Sequence, residues 1–89
     1  MAKILIVDDD VDLVDACRMV LQKAGHEVGV GHNVAEGRKA IEQFKPDLLI
    51  LDVMMEQPDD GIRMAQELRR EHFTTPILML TSIGRVTGM

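Results

Sequence analysis

Three short segments of the chain are apolar at consecutive positions, and each ends at a polar residue. The three segments, with the polar residue that follows each, are Ile4–Val7 with Asp8, Leu48–Leu51 with Asp52, and Ile77–Leu80 with Thr81. A segment that is apolar throughout, without alternation, is typical of a parallel strand buried on both faces. Parallel strands end along one edge of a sheet, where open α/β folds bind ligands. We therefore expect these polar residues to lie near one another, with Asp52 at the centre.

A first helix is predicted over Val11–Ala24, and Gly25 ends it in a left-handed C-terminal cap. Asp10 or Asp12 offers the N-cap, because a short carboxylate accepts hydrogen bonds from free amides of the first turn. The spacing of the apolar residues indicates one buried face, made of Leu13, Val14, Cys17, Val20, Leu21 and Ala24.

A second helix is predicted from Asn33 to about Phe44, because Asn33 with Glu36 three residues later is typical of a capping box. Its predicted buried residues are Val34, Ala40, Ile41 and Phe44. The segment before it, Glu27–Val30, alternates and contains glycine, which favours a short strand at the edge of the sheet.

A third helix is predicted from Ile62 to about Glu71, with Ile62, Ala65 and Leu68 on its inner face. It follows a turn at residues 56–61, and residues 83–89 favour only a weak helix. With strands at Lys3–Val7 and Leu48–Asp52 and a last strand at Ile77–Leu80, the order is βαβαβαβ. This order predicts one α/β domain over residues 1–89, with a parallel sheet, right-handed crossovers and helices on both faces.

Composition and charge exclude several classes of protein. The chain has 89 residues, of which 46% are apolar and 28% charged, and this balance is typical of a globular domain. The net charge of −5 argues against direct binding to nucleic acid or to an anionic membrane. The single cysteine, Cys17, excludes an internal disulfide and favours a cytoplasmic location. We predict no secretion signal and no membrane span.

The acidic residues at the strand ends predict a metal site. Asp8, Asp9 and Asp52 would repel one another unless a cation lay between them, and carboxylate oxygens are ligands that Mg²⁺ prefers. An aspartate oxygen in such a site can attack phosphorus and form an acyl phosphate. Thr81, at the end of the next strand, could donate its hydroxyl to a phosphoryl oxygen.

Together these residues resemble the receiver domain of two-component response regulators, from Lys3 to the end of the chain. The motifs that carry the resemblance are the apolar strand before Asp8-Asp9, the strand that ends at Asp52 and is followed by Met54-Met55 and Asp60-Gly61, and the strand before Thr81. The resemblance implies a flavodoxin-like fold, a three-layer αβα sandwich with parallel strand order 2-1-3-4-5.

The resemblance also implies roles for individual residues. Asp52 would accept a phosphoryl group from the phosphohistidine of a histidine kinase or phosphotransfer protein. Asp9 and Asp52 would bind Mg²⁺ directly, with the backbone carbonyl of Met54, while Asp8 would act through water. Thr81 would be the switch hydroxyl that moves toward the phosphoryl group. The chain would thus be a signalling domain and not a turnover enzyme.

The chain departs from the family pattern in three respects. Glu56 stands where the family usually has proline, and the stretch from Asp52 to Gly61 is one residue longer than usual. The family's fifth strand, its terminal lysine and its fifth helix have no counterpart before Met89. We therefore expect an incomplete receiver whose exposed edge, Ile77–Leu80, favours self-association.

Two alternatives stay open at this point. The missing lysine and Glu56 favour a pseudo-receiver that is impaired in phosphorylation and acts as a binding or assembly module. Asp8-Asp9-Asp10 also fits the opening motif of metal-dependent phosphatases of the haloacid-dehalogenase type, in which Asp8 would be the nucleophile and Asp10 the acid/base.

Overall fold

The computed structural model describes residues 1–80, and strands and helices alternate along them. The elements are β1 (Lys3–Val7), α1 (Val11–Lys23), β2 (Glu27–Gly31), α2 (Val34–Phe44), β3 (Leu48–Asp52), α3 (Asp60–Arg70) and β4 (Ile77–Leu80). The predicted βαβαβαβ order is confirmed, and β2 is one residue longer than predicted. The expectations for Thr81 and for the weak helix after it lie outside the described residues.

The four strands form one parallel sheet in the order β2-β1-β3-β4. This order confirms the flavodoxin-like arrangement and the prediction that β2 is an edge strand. In the register of the sheet, Val7 pairs with both Gly31 and Leu51, and Asp52 pairs with Leu80. The carboxyl ends of the strands are therefore level with one another, so that the residues after β1 and β3 share one edge.

Alternate residues of the central strands serve two separate apolar layers. Leu5, Val7, Leu49 and Leu51 are fully buried on one face, against α2 and α3. Ile4 and Ile6 are buried on the other face against α1. The predicted three-layer sandwich is thus confirmed. The expectation of burial on both faces holds for β1 but is wrong for β4, where Leu78 is 52% exposed.

The buried face of α1 is narrower than the sequence predicted. Val14 is fully buried, and Cys17 and Leu21 pack beside it at helical spacing. Leu13 and Val20 are 43% and 67% exposed, so their predicted burial is wrong. The reason is geometric, because a helix that lies over one pair of strands buries only the strip of residues that points at the sheet.

Ala24 at the end of this helix is exposed as well, because it is the C-cap and not a helical residue. Gly25 follows with φ +96, in the left-handed region. The predicted glycine cap of α1 is therefore confirmed.

The capping of α2 agrees with the predicted box. The Glu36 N–H donates to Oδ1 of Asn33 over 2.8 Å. The Glu36 carboxylate in turn accepts from the backbone N–H of His32 over 2.9 Å, one residue before the N-cap. The predicted buried residues of α2, which include Ile41 and Phe44, are half-buried and pack against the core.

The inner face of α3 agrees with the prediction at Ala65 and Leu68 but differs from it at Ile62. The helix begins at Asp60, and its buried residues are Gly61, Met64 and Leu68. Ile62, which was predicted to face inward, is 45% exposed. The cause is Gly61, which packs directly against the backbone at Asp52 and Val53 and so rotates the helix about its axis. Within residues 1–80, no helix is long and apolar enough to cross a membrane.

Candidate functional site

The structure brings Asp8, Asp9 and Asp52 together at the carboxyl edge of the sheet. One carboxylate oxygen from each of the three lies within 4.8 Å of the others. Asp8 and Asp52 are only 3% and 6% exposed, while Asp9 is exposed to solvent. Two of the three acidic side chains are therefore removed from water at the end of the apolar core, where a charge is costly unless a cation or a proton offsets it.

Backbone hydrogen bonds hold Asp8 in place. Its N–H donates to the carbonyl of Gly31 over 3.0 Å and so continues the ladder between β1 and β2. Its Oδ1 accepts from the Asp10 N–H over 2.9 Å. The Asp10 carboxylate accepts in turn from the Leu13 N–H over 3.1 Å, so Asp10 and not Asp12 is the N-cap of α1. Asp8 is thus fixed between the sheet and the start of a helix.

Asp52 is held by the loop that follows it and by the neighbouring strand. The Met54 N–H donates to Oδ1 of Asp52 over 3.3 Å. The next residue after Asp52, Val53, donates its N–H to the carbonyl of Leu80 over 2.8 Å. The sheet ladder therefore extends one residue beyond β3 and positions the Asp52 backbone relative to the end of β4.

A cavity of about 170 Å³ opens in front of these carboxylates. The residues that line it are Asp8, Asp9, Asp10, Leu13, Asp52, Met54 and Met55. Among the described residues of this lining, none is basic. The cavity is thus large enough for a small ion with a phosphoryl-sized group and has a strongly acidic wall.

Burial is the main influence on the ionisation of the two inner carboxyls. Burial and, after it, the nearby charge of Asp8 raise the pKa of Asp52 to about 6, against the opposing hydrogen bond from the Met54 N–H. Burial also raises the pKa of Asp8, against the opposing hydrogen bond from the Asp10 N–H. A hydrogen bond between the two carboxyls lowers the pKa of Asp8 and raises that of Asp52. Both inner carboxyls therefore hold a proton more tightly than a solvent-exposed aspartate does.

The donors fit a hard divalent cation. Three carboxylates converge within one cation's reach, and Mg²⁺ favours a few carboxylate oxygens with water or phosphate oxygens at its remaining positions. Two raised carboxyl pKa values are the electrostatic signature of anions that lack a counter-charge. A cation at this position would remove that penalty.

Of the other residues named from the sequence, Met54 lies at the acidic cavity, Glu56 lies elsewhere, and Thr81 is not among the described residues. Met54 lines the cavity and donates its N–H to Asp52, while the metal-binding role of its carbonyl stays a prediction. Glu56, which stands where the family usually has proline, lines a separate cavity of about 340 Å³ beside α3, together with Asp60 and Arg63.

Two residues at the site were not anticipated. Leu13 was assigned to the buried face of α1, but it lines the acidic cavity. Gly61 was assigned to a turn, but it lies in the first turn of α3 against the Asp52 carbonyl. A glycine within a predicted helix could have indicated this contact. Glycine destabilises a helix relative to alanine, so its presence there suggests a close approach of another backbone.

Comparison with known proteins identifies the family. The sequence profile of the response regulator receiver domain matches residues 4–87. The transcriptional regulator RpaA of Synechocystis is 38% identical over 88 residues, which are 97% of this chain and 36% of RpaA. The regulatory protein PhoP of Bacillus subtilis is 40% identical over 80 residues, covering 90% of this chain and 33% of PhoP.

Solved structures show the same fold. The N-terminal domain of a response regulator receiver protein from Methanoculleus marisnigri is 32% identical, with a TM-score of 0.86 over 92% of this chain and 68% of that one. The response regulator TrrA of Thermotoga maritima, solved with Mg²⁺ and BeF, is 32% identical, with a TM-score of 0.82 over 92% of this chain and 70% of that one.

These matches cover nearly the whole chain and agree with the fold. The chain therefore belongs to the response regulator receiver domain family. It spans about a third of the length of the curated relatives RpaA and PhoP.

Proposed function

We propose that this chain is a phosphoacceptor that takes a phosphoryl group on Asp52, from the phosphohistidine of a histidine kinase or phosphotransfer protein, and thereby switches a signalling pathway. The observation that carries the proposal is the position of Asp52. Its carboxylate is buried at a strand end, faces a cavity and lies beside two further carboxylates. Membership of the receiver family supports the same role.

The chemistry follows from the arrangement of the side chains. A carboxylate oxygen of Asp52 attacks phosphorus and forms a new O–P bond. The P–N bond to the donor imidazole breaks, and its electron pair stays on the imidazole nitrogen. Catalysis of this transfer rests mainly on positioning and charge stabilisation. Because the acceptor is a residue of the domain itself, the proposal is a signalling domain and not a turnover enzyme for an external substrate.

Asp8, Asp9, Asp52 and the Met54 carbonyl are the groups that would hold Mg²⁺ in this proposal. The bound ion would offset the charge of the carboxylates and of the phosphoryl oxygens. Asp8 is already fixed by the Asp10 N–H, so it enters the site without a further loss of side-chain freedom. The structure of TrrA with Mg²⁺ and BeF supports this assignment by analogy.

The test is incubation with acetyl phosphate and Mg²⁺, followed by intact mass measurement and mapping of the modified residue. We expect the wild type to gain one phosphoryl group at Asp52 and Asp52→Asn to gain none. Asp12→Asn is the matched control, because Asp12 is an exposed acidic residue of α1 that does not line the cavity. Labelling that survives Asp52→Asn would refute the proposal.

The alternative functions have less support. Within residues 1–80 the acidic cluster contains all three carboxylates, and nothing in the structure of these residues adds to the sequence features that favoured the pseudo-receiver. Phosphorylation mapped to Asp8 would instead favour the phosphatase-like alternative. A cytoplasmic location, next to the kinase domain that supplies the phosphoryl group, is part of our proposal.

Self-association through Ile77–Leu80 also stays a prediction. In the described part of the chain β4 is an edge strand, and its Leu78 is half exposed. Exposed apolar edges favour pairing with another chain. Sedimentation at increasing concentration tests it, and a monomer at every concentration would contradict it.

A further inference from the structure

The first turn of α3 lies unusually close to the phosphoacceptor strand. A Cβ at Gly61 would overlap the carbonyl oxygen of Asp52 and would come within 2.7 Å of the Asp52 carbonyl carbon and 2.8 Å of the Val53 Cα. All of these are backbone atoms, so none can move aside as a side-chain tip would. The Gly61 N–H also donates to the Val53 carbonyl over 2.8 Å. Only glycine permits this contact.

The backbone conformation does not explain the glycine. Gly61 lies inside a helix, and the described glycine with positive φ is Gly25. Because glycine in a helix costs roughly 0.5 to 1 kcal/mol relative to alanine, its presence here requires another reason. The close approach to Asp52 is that reason.

Asp60 extends the same contact to the loop after β3. Its carboxylate accepts from the Gln57 N–H over 2.8 Å, and its own N–H donates to the Gln57 carbonyl over 3.3 Å. That carbonyl also accepts from the Met55 N–H over 3.2 Å. Asp60 is thus hydrogen-bonded to the backbone of Gln57, and Gln57 is hydrogen-bonded to Met55, the neighbour of Met54.

The loop from Asp52 to Gln57 is therefore anchored at both ends by one helical turn. Gly61 contacts the backbone at its beginning, and Asp60 binds the backbone at its end. Met54, between the two anchors, donates its N–H to Asp52 and lines the acidic cavity. A shift of α3 would move both the Asp52 carboxylate and the backbone of Met54.

We infer that Gly61 and Asp60 are positioning residues for Asp52 and Met54, and that the first turn of α3 sets the geometry in which the site binds Mg²⁺ and accepts a phosphoryl group. Neither residue touches the reacting atoms. This inference rests on the proposed function for its phosphoryl-transfer part only, since the binding of Mg²⁺ is measured separately.

Two variants test the inference. Gly61→Ala forces α3 away from Asp52, and Asp60→Ala releases Gln57 without a steric clash, so the second variant remains informative if the first does not fold. Loss of groups that orient metal ligands typically weakens metal affinity about 10- to 100-fold. We expect Gly61→Ala to weaken Mg²⁺ binding by about tenfold or more, and Asp60→Ala to weaken it by a smaller factor because it introduces no clash.

Leu68→Ala is the matched control for stability. Leu68 is buried in the same helix, two turns from Gly61, and it does not line the acidic cavity. Its truncation creates a cavity in the core and lowers the free energy of unfolding. We expect the folded fraction of Leu68→Ala at low temperature to retain wild-type Mg²⁺ affinity.

The first measurement is a titration with Mg²⁺ alone, in which the amide chemical shifts of the folded protein report binding. The second is acetyl phosphate labelling at saturating Mg²⁺. Weaker Mg²⁺ binding in the α3 variants but not in Leu68→Ala supports the inference. Wild-type Mg²⁺ affinity in folded Gly61→Ala or folded Asp60→Ala would overturn it for that residue. If the wild type binds Mg²⁺ but is never labelled, the proposed function fails while the Mg²⁺ comparison still decides the positioning role.

Discussion

The carboxyls of Asp8 and Asp52 lie together at the ends of adjacent strands, and the pKa of each is raised by burial. Asp8 follows β1 and Asp52 ends β3, and the two strands pair from Ile4 with Leu48 to Val7 with Leu51. Because each is nearly inaccessible to water, the pair is destabilising in the ionised form unless a cation or a proton is present.

Without Mg²⁺, the stability conferred by Asp52 depends on pH. Its pKa in the folded protein is about 6, above the value of 3.8 for an unperturbed carboxyl, so the folded state binds the proton more tightly than the unfolded state. The resulting stabilisation is complete below the unfolded pKa and is lost as the pH rises through about 6. As the pH rises from below the unfolded pKa to above the folded pKa, we expect the free energy of unfolding of the wild type to fall by on the order of 2 to 3 kcal/mol relative to that of Asp52→Asn.

Urea unfolding at a series of pH values, with chelator present, measures this difference. Using Asp52→Asn as the reference removes the contributions of carboxyls that the two proteins share, apart from the coupling to Asp8. A constant difference in the free energy of unfolding across the range would contradict the raised pKa of Asp52.

Mg²⁺ should stabilise the protein more at neutral pH than at acidic pH. Protons compete with the ion for the same carboxylates, so binding weakens when the pair is protonated. At a Mg²⁺ concentration of about 100 times Kd, linkage raises the free energy of unfolding by about 2.7 kcal/mol. Thermal melts at pH 5 and pH 7.5 test this, and an equal rise in Tm for wild type and Asp9→Asn would argue against Asp9 as a ligand.

The N-cap of α2 should contribute measurably to stability. Asn33→Ala removes the acceptor for the Glu36 N–H, and loss of such a cap typically costs about 1 kcal/mol. Asn33→Asp keeps an acceptor and should be close to wild type. Urea unfolding compares the three proteins, and an alanine variant as stable as the aspartate variant would show that the cap does not contribute.

Arg38 connects the two helices on one face of the sheet. Its Nη2 lies 2.6 Å from the Glu71 carboxylate, and its Nη1 lies 3.8 Å from that of Glu67. Because these side chains are 35 to 52% exposed, we expect a coupling energy of only about 0.2 to 1 kcal/mol between Arg38 and Glu71. A double-mutant cycle with Arg38→Met and Glu71→Gln measures the coupling, which should decrease at high salt. A coupling that is unchanged by salt would contradict its electrostatic origin.

The strands and the acidic cluster could be predicted because both depend on local sequence. A segment such as Ile4–Val7, which is apolar at every position, does not fit an element with one exposed face. Asp8 and Asp52 each come directly after the C-terminal end of such an apolar segment. Parallel strands then bring the two residues to one edge. The N-cap Asn33 was also predicted, and Asp10 was one of two candidates for the N-cap of α1, since capping involves only neighbours within four residues.

The orientation of the helices could not be predicted in this way. The rotation of α3, which buries Met64 and exposes Ile62, depends on the contact between Gly61 and the Asp52 backbone, a contact between residues of different elements. The exposure of Val20 depends on how much of α1 lies over the sheet. The position of Glu56 depends on the turn conformation, which hydrophobic periodicity does not report.

Asp10 links the acidic cavity to the first turn of α1. Its amide binds the Asp8 carboxylate while its own carboxylate caps α1, so one residue belongs both to the acidic cavity and to the first turn of a helix. Any ligand that steadies Asp8 will slow the exchange of backbone amide protons in that turn. The amides near Lys23, three turns away, will keep their exchange rates. The difference in exchange between the two ends of α1 will therefore report whether the site is occupied.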